Sequence, residues 1–311
     1  MRTRHFGEDS FELTELCFGT WGISGEAYGP ITDQERDALL ERALLLGIRA
    51  FETADSYANG AIEKRLGELL PKDARIITKI GTRRDMTPAR KDFSPGYVRE
   101  AVERSQERLG RECIDCVMLH NPSPKALRLG KALEVLQDLK EKGVIATYGA
   151  SLGNVDGVRA ALEMKVPAVS VTYNVYHRNE IETLARDLDR KIGVLVHSVL
   201  AHGLLSGTWP ANKEFPPGDH RSDRWSRDAL KRRLRQLVVM RPVLGDVTPT
   251  LRSVALRFAL SHSLVSSVVL GARNSYQLDQ LVREAGKGPT YLEPAEVEGL
   301  RERSWAAGIF T

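Results

Sequence analysis

Eight short apolar runs, each followed by a longer stretch with helical periodicity, constrain the fold of this chain more than any other feature. The runs are 16–18, 48–51, 76–79, 116–119, 146–150, 168–172, 194–197 and 268–270. They are too short for helices and suit strands buried on both faces. The helical stretches are 34–46, 62–70, 97–109, 132–141, 155–164, 180–188 and a longer tract at 229–260, with a last one running from Asn274 to 284. A strand that must return parallel to its neighbour needs a crossover of helix length, so strict alternation predicts an all-parallel sheet. An open doubly wound sheet is one solution. A count of eight favours closure into an α/β (β/α)8 TIM barrel.

Local signals mark the boundaries. Thr32 and Glu35 form a capping box, in which the hydroxyl takes an orphan N–H and the carboxylate reaches back. Ser94-Pro95 places a cap before a proline at the first helical position, and Thr248-Pro249 repeats the pattern before 253–260. Residues 6–13 put turn formers between apolar residues, which predicts a short N-terminal hairpin closing the barrel floor. Residues 209–224, with Pro210, Pro216, Pro217 and Gly218, are too long and irregular for a connector. Such a loop after the seventh strand reads as a lid or binding loop. All of residues 1–311 are read as one barrel domain.

Composition excludes several classes. Of the chain, 42% is hydrophobic and 28% charged, and no apolar run approaches membrane-spanning length. Met1 to Phe6 lacks the apolar stretch of a signal peptide, so the cytoplasm is the expected compartment and no membrane partner is expected. Three cysteines argue against a disulfide framework. Cys113 and Cys116 form a lone C-x-x-C that runs into an apolar strand, and both are read as packing residues. The basic stretch 221–241 is read as a solvated helix face rather than a nucleic-acid site.

In a barrel, residues at the C-terminal ends of the strands share one cavity. Those positions carry Glu52, Thr53, Asp55 and Tyr57 after the second strand, Lys79 after the third and His120 after the fourth. Ser151, Asn174, His197 and Ser198 follow, and then Gly271, Ala272, Arg273 and Asn274. A carboxylate, a phenol, an amine and an imidazole therefore converge. A buried ammonium beside a phenol stabilises the phenolate, so Tyr57 tuned by Lys79 serves as general acid to an alkoxide, with His120 holding the carbonyl oxygen. Asn274 caps the last helix at a site suited to phosphate, and Arg273 beside it suits a 2′-phosphate, which favours NADP(H). The G-x-G-x-x-G fingerprint of a doubly wound nucleotide domain is absent. His120, His197 and His202 lack the close spacing of a metal site, and no metal is expected.

Five segments together resemble the aldo-keto reductase family over nearly the whole chain. They are Phe18-Gly-Thr-Trp21, residues 51–57 with Glu52 and Tyr57, residues 76–79 ending in Lys79, residues 114–120 ending in His120, and residues 198–207 followed by Gly271, Ala272 and Arg273. The resemblance implies a (β/α)8 barrel binding NADP(H) without a Rossmann domain. It also implies a tetrad in which Tyr57 donates the proton, Lys79 lowers its pKa, His120 orients the carbonyl and Glu52 occupies the place of an aspartate. The cofactor contacts that it implies fall on Thr20, Trp21, Ser151, Ser170, His197, Ser198, Leu200, Gly203, Leu205, Gly271, Arg273, Asn274 and Gln277. The chain departs from the pattern at Glu52, at Leu152 and Ser170 near the carboxamide, and at His197 against the nicotinamide. Leu281 and Val199 depart as well, and Asn154 is a substitute for one carboxamide contact.

The expected function is NADP(H)-dependent reduction of an aldehyde, ketone or sugar to an alcohol, with a small carbonyl compound as partner. The alternative is a non-catalytic NADP(H)-binding sensor or assembly subunit on the same barrel. Trp21, Tyr28, His177 and Trp225 are candidate pocket walls.

Overall fold

The computed structural model describes residues 1–7 and 11–309. Strands β1 (Thr3–His5) and β2 (Glu12–Thr14) pair antiparallel as the expected hairpin, whose turn lies outside the described residues. The remaining strands are β3 (Leu16–Gly19), β4 (Ala50–Glu52), β5 (Arg75–Ile80), β6 (Thr82–Arg83), β7 (Arg90–Lys91), β8 (Ile114–His120), β9 (Ile145–Leu152), β10 (Ala168–Thr172), β11 (Gly193–His197) and β12 (Ser267–Leu270). Eight of them close in the order β3-β4-β5-β8-β9-β10-β11-β12, every pair parallel. Strands β6 and β7 form a small antiparallel hairpin above β5 that has no counterpart in the expected elements.

Eleven α-helices among the described residues cover the barrel: α1 (Asp33–Leu45), α2 (Ala61–Leu69), α3 (Pro95–Leu109), α4 (Pro124–Leu129), α5 (Lys131–Glu141), α6 (Val155–Glu163), α7 (Asn179–Asp187), α8 (Arg227–Gln236), α9 (Leu251–Leu260), α10 (Ser275–Ala285) and α11 (Pro294–Ala306). The capping box at Thr32 and Glu35 is present, and Pro95 opens α3 behind Ser94. The tract 229–260 breaks into α8, a 3-10 turn at Leu237–Val243 and α9, because Pro242 cannot continue an α-helix. Thr250, not Thr248, caps α9, in a box with Ser253, while the Thr248 hydroxyl turns inward to the Val243 carbonyl. Several strands run past the apolar cores that identified them; β9 extends to Leu152 and so contains Ser151.

Strand alternation sorts the barrel wall into two cores. Leu16, Phe18, Phe51, Ile76, Val117, Val169, Val171 and Val194 point outward into the helix layer. Cys17, Ala50, Ile77, Cys116, Met118, Ala168, Leu195 and Val269 point inward and fill the lower barrel. The hairpin plugs its floor: Phe6 and Leu13 are fully buried in that inner core. Gly193 makes room for the plug, since a Cβ there would lie 2.7 Å from the Phe6 ring. Arg4 locks the hairpin in place through Glu15 at 2.7 Å and the carbonyls of Val265 (2.8 Å) and Leu260 (2.9 Å). Cys116 packs in the interior as expected, whereas Cys113 is exposed, because it precedes the strand rather than lying in it. No described helix is long and apolar enough to cross a membrane.

Candidate active site

The site begins two residues above the apolar interior, on the same strands and the same face. Ala50 is followed inward by Glu52, Ile77 by Lys79, Met118 by His120, Gly149 by Ser151 and Leu195 by His197. A period of two guarantees that these pairs share a direction. Register then sets them side by side, with His120 opposite Ser151.

Lys79 and Glu52 form an ion pair with their side chains only 4% and 8% exposed. Burial pulls the Lys79 ammonium down, while the Glu52 carboxylate in contact with it favours the charged form and opposes that pull. The longer reach of glutamate therefore still delivers a carboxylate to the amine. Tyr57 begins the turn after β4, and Lys79 Nζ lies 5.0 Å from its ring centroid. The His120 ring stands edge-on to it, with centroids 6.2 Å apart at 87°. The Tyr57 phenol is pushed above its ordinary value, first by burial and then by the Asp55 carboxyl. That direction is opposite to the expected lowering by Lys79: burial and the Asp55 carboxyl both act to raise it.

His120 is held well below 6.5, by burial first and then by the positive charge of Lys79, and is neutral at physiological pH. Its Nδ1 is buried without a hydrogen-bond partner. Burial and Lys79 likewise bring His197 down to about 4, and its Nδ1 lies 3.1 Å from Ser198 Oγ. Ser198 takes a left-handed φ of +56° and is held by Asn174, whose amide donates to the Ser198 carbonyl at 2.9 Å. Asp55 does not substitute for Glu52. Its carboxyl is raised to about 7 by burial and by Glu63, while its backbone N–H donates to the Lys79 carbonyl at 2.9 Å.

These groups face a cavity of about 920 Å³ that runs from Tyr57 to the start of α10. Trp21, Glu52, Tyr57, Lys79, His120, Ser151, His197, Ser198, Leu200 and Gly203 lie on its wall, with Gly271, Arg273 and Gln277 at the far end. Thr20 and Ser170 are buried behind the wall with unpartnered hydroxyls, and Leu205 packs in the outer core. Asn274 caps α10, accepting from the Gln277 N–H at 2.9 Å, and Asn154 caps α6 in the same way. Arg273 is not a free cation: it donates to the carbonyls of Gly22 (2.9 Å), Gly29 (3.1 Å) and Pro30 (2.7 Å). Three of its five N–H donors are thereby committed to the loop after β3.

The loop after β11 closes one side of the cavity. Asp219 bridges to Tyr28, and the His220 N–H donates to the Ala27 carbonyl at 3.0 Å. Arg221, paired with the buried Asp219, packs against the rings of Tyr28 (4.7 Å), Trp209 (5.6 Å) and Phe215 (4.7 Å). Arg221 and Arg224 both reach the wall, so the basic stretch divides between the cavity and the exposed face of α8. Trp21 and Tyr28 line the cavity; His177 and Trp225 do not. Glu26, Arg84, Asn121 and Arg252 also line it and escaped sequence reasoning, and His202, weighed in the sequence only as a metal ligand, lines it too. Only Asn121, directly after His120, carried a positional signal; the others arrive from loops whose paths are set by tertiary contacts.

The fit to a nicotinamide dinucleotide rests on the donor set of the lining: Trp21, Tyr28 and Trp209 offer aromatic faces, Ser151, His197 and Ser198 offer polar groups, and Arg221, Arg224 and Arg273 offer positive charge on the same cavity. A family model described as "Aldo/keto reductase family" matches residues 15–287. The chain is 28% identical to a protein of Escherichia coli (strain K12) named NADH-specific methylglyoxal reductase, covering 91% of this chain and 93% of that one. It is 25% identical to a Schizosaccharomyces pombe aldo-keto reductase whose name carries NADP(+), covering 96% and 90%. Among solved structures, a glycerol dehydrogenase of Gluconobacter oxydans superposes with a TM-score of 0.83 over 99% of this chain and 97% of that one, at 23% identity.

Proposed function

Because the chain belongs to the aldo/keto reductase family, we propose that it is an NADP(H)-dependent reductase of small carbonyl compounds with Tyr57 as its proton donor. The observation that carries this reading is the convergence of Tyr57, His120 and the Lys79–Glu52 pair at the base of one cavity. The bound nicotinamide supplies a hydride. The side chains of this protein do the rest. Neutral His120 donates a hydrogen bond to the substrate oxygen and holds it against the phenol. Tyr57, whose raised pKa keeps it protonated at physiological pH, delivers its proton as negative charge develops on that oxygen. Lys79 stabilises the phenolate left behind, and Glu52 keeps the ammonium charged and pointed at the ring.

Ser151, His197 and Ser198 would hold the nicotinamide end of the cofactor, and Leu200, Gly203, Arg273 and Gln277 the rest. Two N–H donors of Arg273 remain for a phosphate, which supports NADP(H) over NAD(H). Fluorescence titration with NADPH and NADH, followed by turnover on a panel of reactive aldehydes, ketones and sugars, tests both parts. We expect tighter binding of NADPH, a preference reduced about tenfold or more in Arg273→Leu, and reduction of at least one carbonyl. Equal affinities would overturn the NADP(H) assignment. Binding without turnover on any carbonyl would instead support the silent binding protein.

A further inference from the structure

Tyr57 stands on a backbone that ought not to hold its shape unaided. It is followed by Ala58, Asn59 and Gly60 with φ of +46°, +53° and +86°. Two consecutive non-glycine residues in the left-handed region are disfavoured by the clash of Cβ with the backbone, and such a turn persists only where its surroundings over-determine it. The 3-10 turn lacks a side-chain cap at Ser56.

The surroundings come from two other loops. Glu26, in the loop after β3, and Arg84, in the excursion between β6 and β7, form an ion pair with Arg84 Nη1 2.6 Å from Glu26 Oε1. The same Nη1 donates to the Ser56 carbonyl. The second oxygen of Glu26 accepts from the Ala58 N–H at 3.2 Å. Ser56 C=O belongs to the peptide that enters Tyr57, and Ala58 N–H to the peptide that leaves it. One ion pair therefore grips both peptide units flanking the phenol-bearing residue. Both side chains are little more than one-third exposed and both line the cavity.

The geometry points to Glu26 and Arg84 as positioning residues: a clamp that fixes the peptide planes on either side of Tyr57 and so sets where its phenol lies over Lys79 and beside His120. The clamp rests on the reading of Tyr57 as proton donor and adds two residues that touch neither Lys79 nor His120. Its consequence is specific. Loosening it moves the donor without removing it, so the chemical step suffers while the far end of the cavity, where the cofactor phosphates are held, does not.

The test compares Glu26→Gln, Arg84→Met and the double variant with wild type, by kcat and KM on a carbonyl substrate and by Kd for NADPH. Each single variant should lose about 10- to 100-fold in kcat, the penalty of a donor displaced by about an ångström. Kd for NADPH should stay within about twofold, and the double variant should be no slower than the worse single, because both halves serve one clamp. Singles with wild-type kcat, losses that multiply in the double variant, or a cofactor Kd that weakens in parallel with kcat would each overturn the proposal. Arg84→Lys replaces Arg84→Met where the latter fails to fold. It retains a charge that can make both bonds, so it should keep most of the wild-type kcat if the clamp holds, and a loss as large as that of Glu26→Gln counts against the clamp. Tyr57→Phe runs alongside. If it keeps the wild-type rate, the donor reading falls and the clamp with it; if it is inactive while the clamp variants are unimpaired, the clamp alone falls.

Discussion

The lower and upper halves of the barrel interior are built on the same strands, two residues apart, and do opposite work. Below, Phe6, Ile77, Met118 and Leu195 are fully buried and fill the space with apolar atoms. Above, Lys79, His120 and His197 occupy the next inward positions of β5, β8 and β11 and face an open cavity. The lower layer supplies stability and a low-dielectric floor. The upper layer draws on that floor, since burial is the first cause of the depressed pKa values of Lys79, His120 and His197. What separates structure from chemistry here is thus one step of strand periodicity, and substitutions on either side of that step should fail in different ways.

The sharpest contrast comes from the top. Tyr57→Phe should reduce kcat for carbonyl reduction by about 10³-fold or more, with the urea midpoint little changed, because the group removed acts in proton transfer. Retention of the rate in Tyr57→Phe would erase the division. From below, Phe6→Ala should cost about 3–5 kcal/mol of stability, read from urea denaturation, since it opens a cavity in a packed core. The folded fraction should keep wild-type affinity for NADPH; a weakened affinity would mean that the plug shapes the site as well. Glu52→Gln is intermediate, with an expected loss in kcat of about 10- to 100-fold as the control of Lys79 weakens. An unchanged rate would remove Glu52 from the mechanism and leave it a packing partner.

The smallest effect concerns pH. His197 has its folded pKa depressed to about 4, below the ordinary 6.5, and His120 is depressed as well. The unfolded chain therefore binds more protons between those values. Their contribution to stability is complete above pH 6.5 and declines as pH falls toward 4, by at most about 1.4 kcal/mol per pH unit for each group. The thermal midpoint of His197→Asn, followed from pH 7 to pH 4, should fall less steeply than that of wild type. Parallel slopes would show that the imidazole is not desolvated in the folded protein.

The residues that the structure brings to the cavity were legible in the sequence where they sit on strands and less so where they sit on loops. Glu52, Lys79, His120, Ser151 and His197 lie at or next to strand ends, and an apolar run followed by a polar inward position is a local pattern. Arg84, Glu26 and His202 reach the cavity from irregular segments whose paths depend on partners far away in the chain. The place of Arg273 at a helix start makes it an expected cofactor residue. Its three bonds to the loop after β3 arise from residues about 250 positions earlier, which no local pattern reports. The same limit moved the cap of α9 from Thr248 to Thr250, where only the packing of the preceding turn decides which hydroxyl is free.

By itself the sequence determined the closed eight-stranded barrel, its hairpin floor and the set of ionisable side chains gathered at its upper rim. Periodicity and turn chemistry are local, and eight repeats of one local solution have few ways to close. Tertiary structure alone decided the electrostatics and the pose of Tyr57. Burial reversed the expected direction of its pKa, an ion pair from two distant loops grips the peptides on either side of it, and glutamate proved long enough to reach Lys79. Each of these depends on distances between segments that share no local pattern, and such distances exist only once the chain has closed.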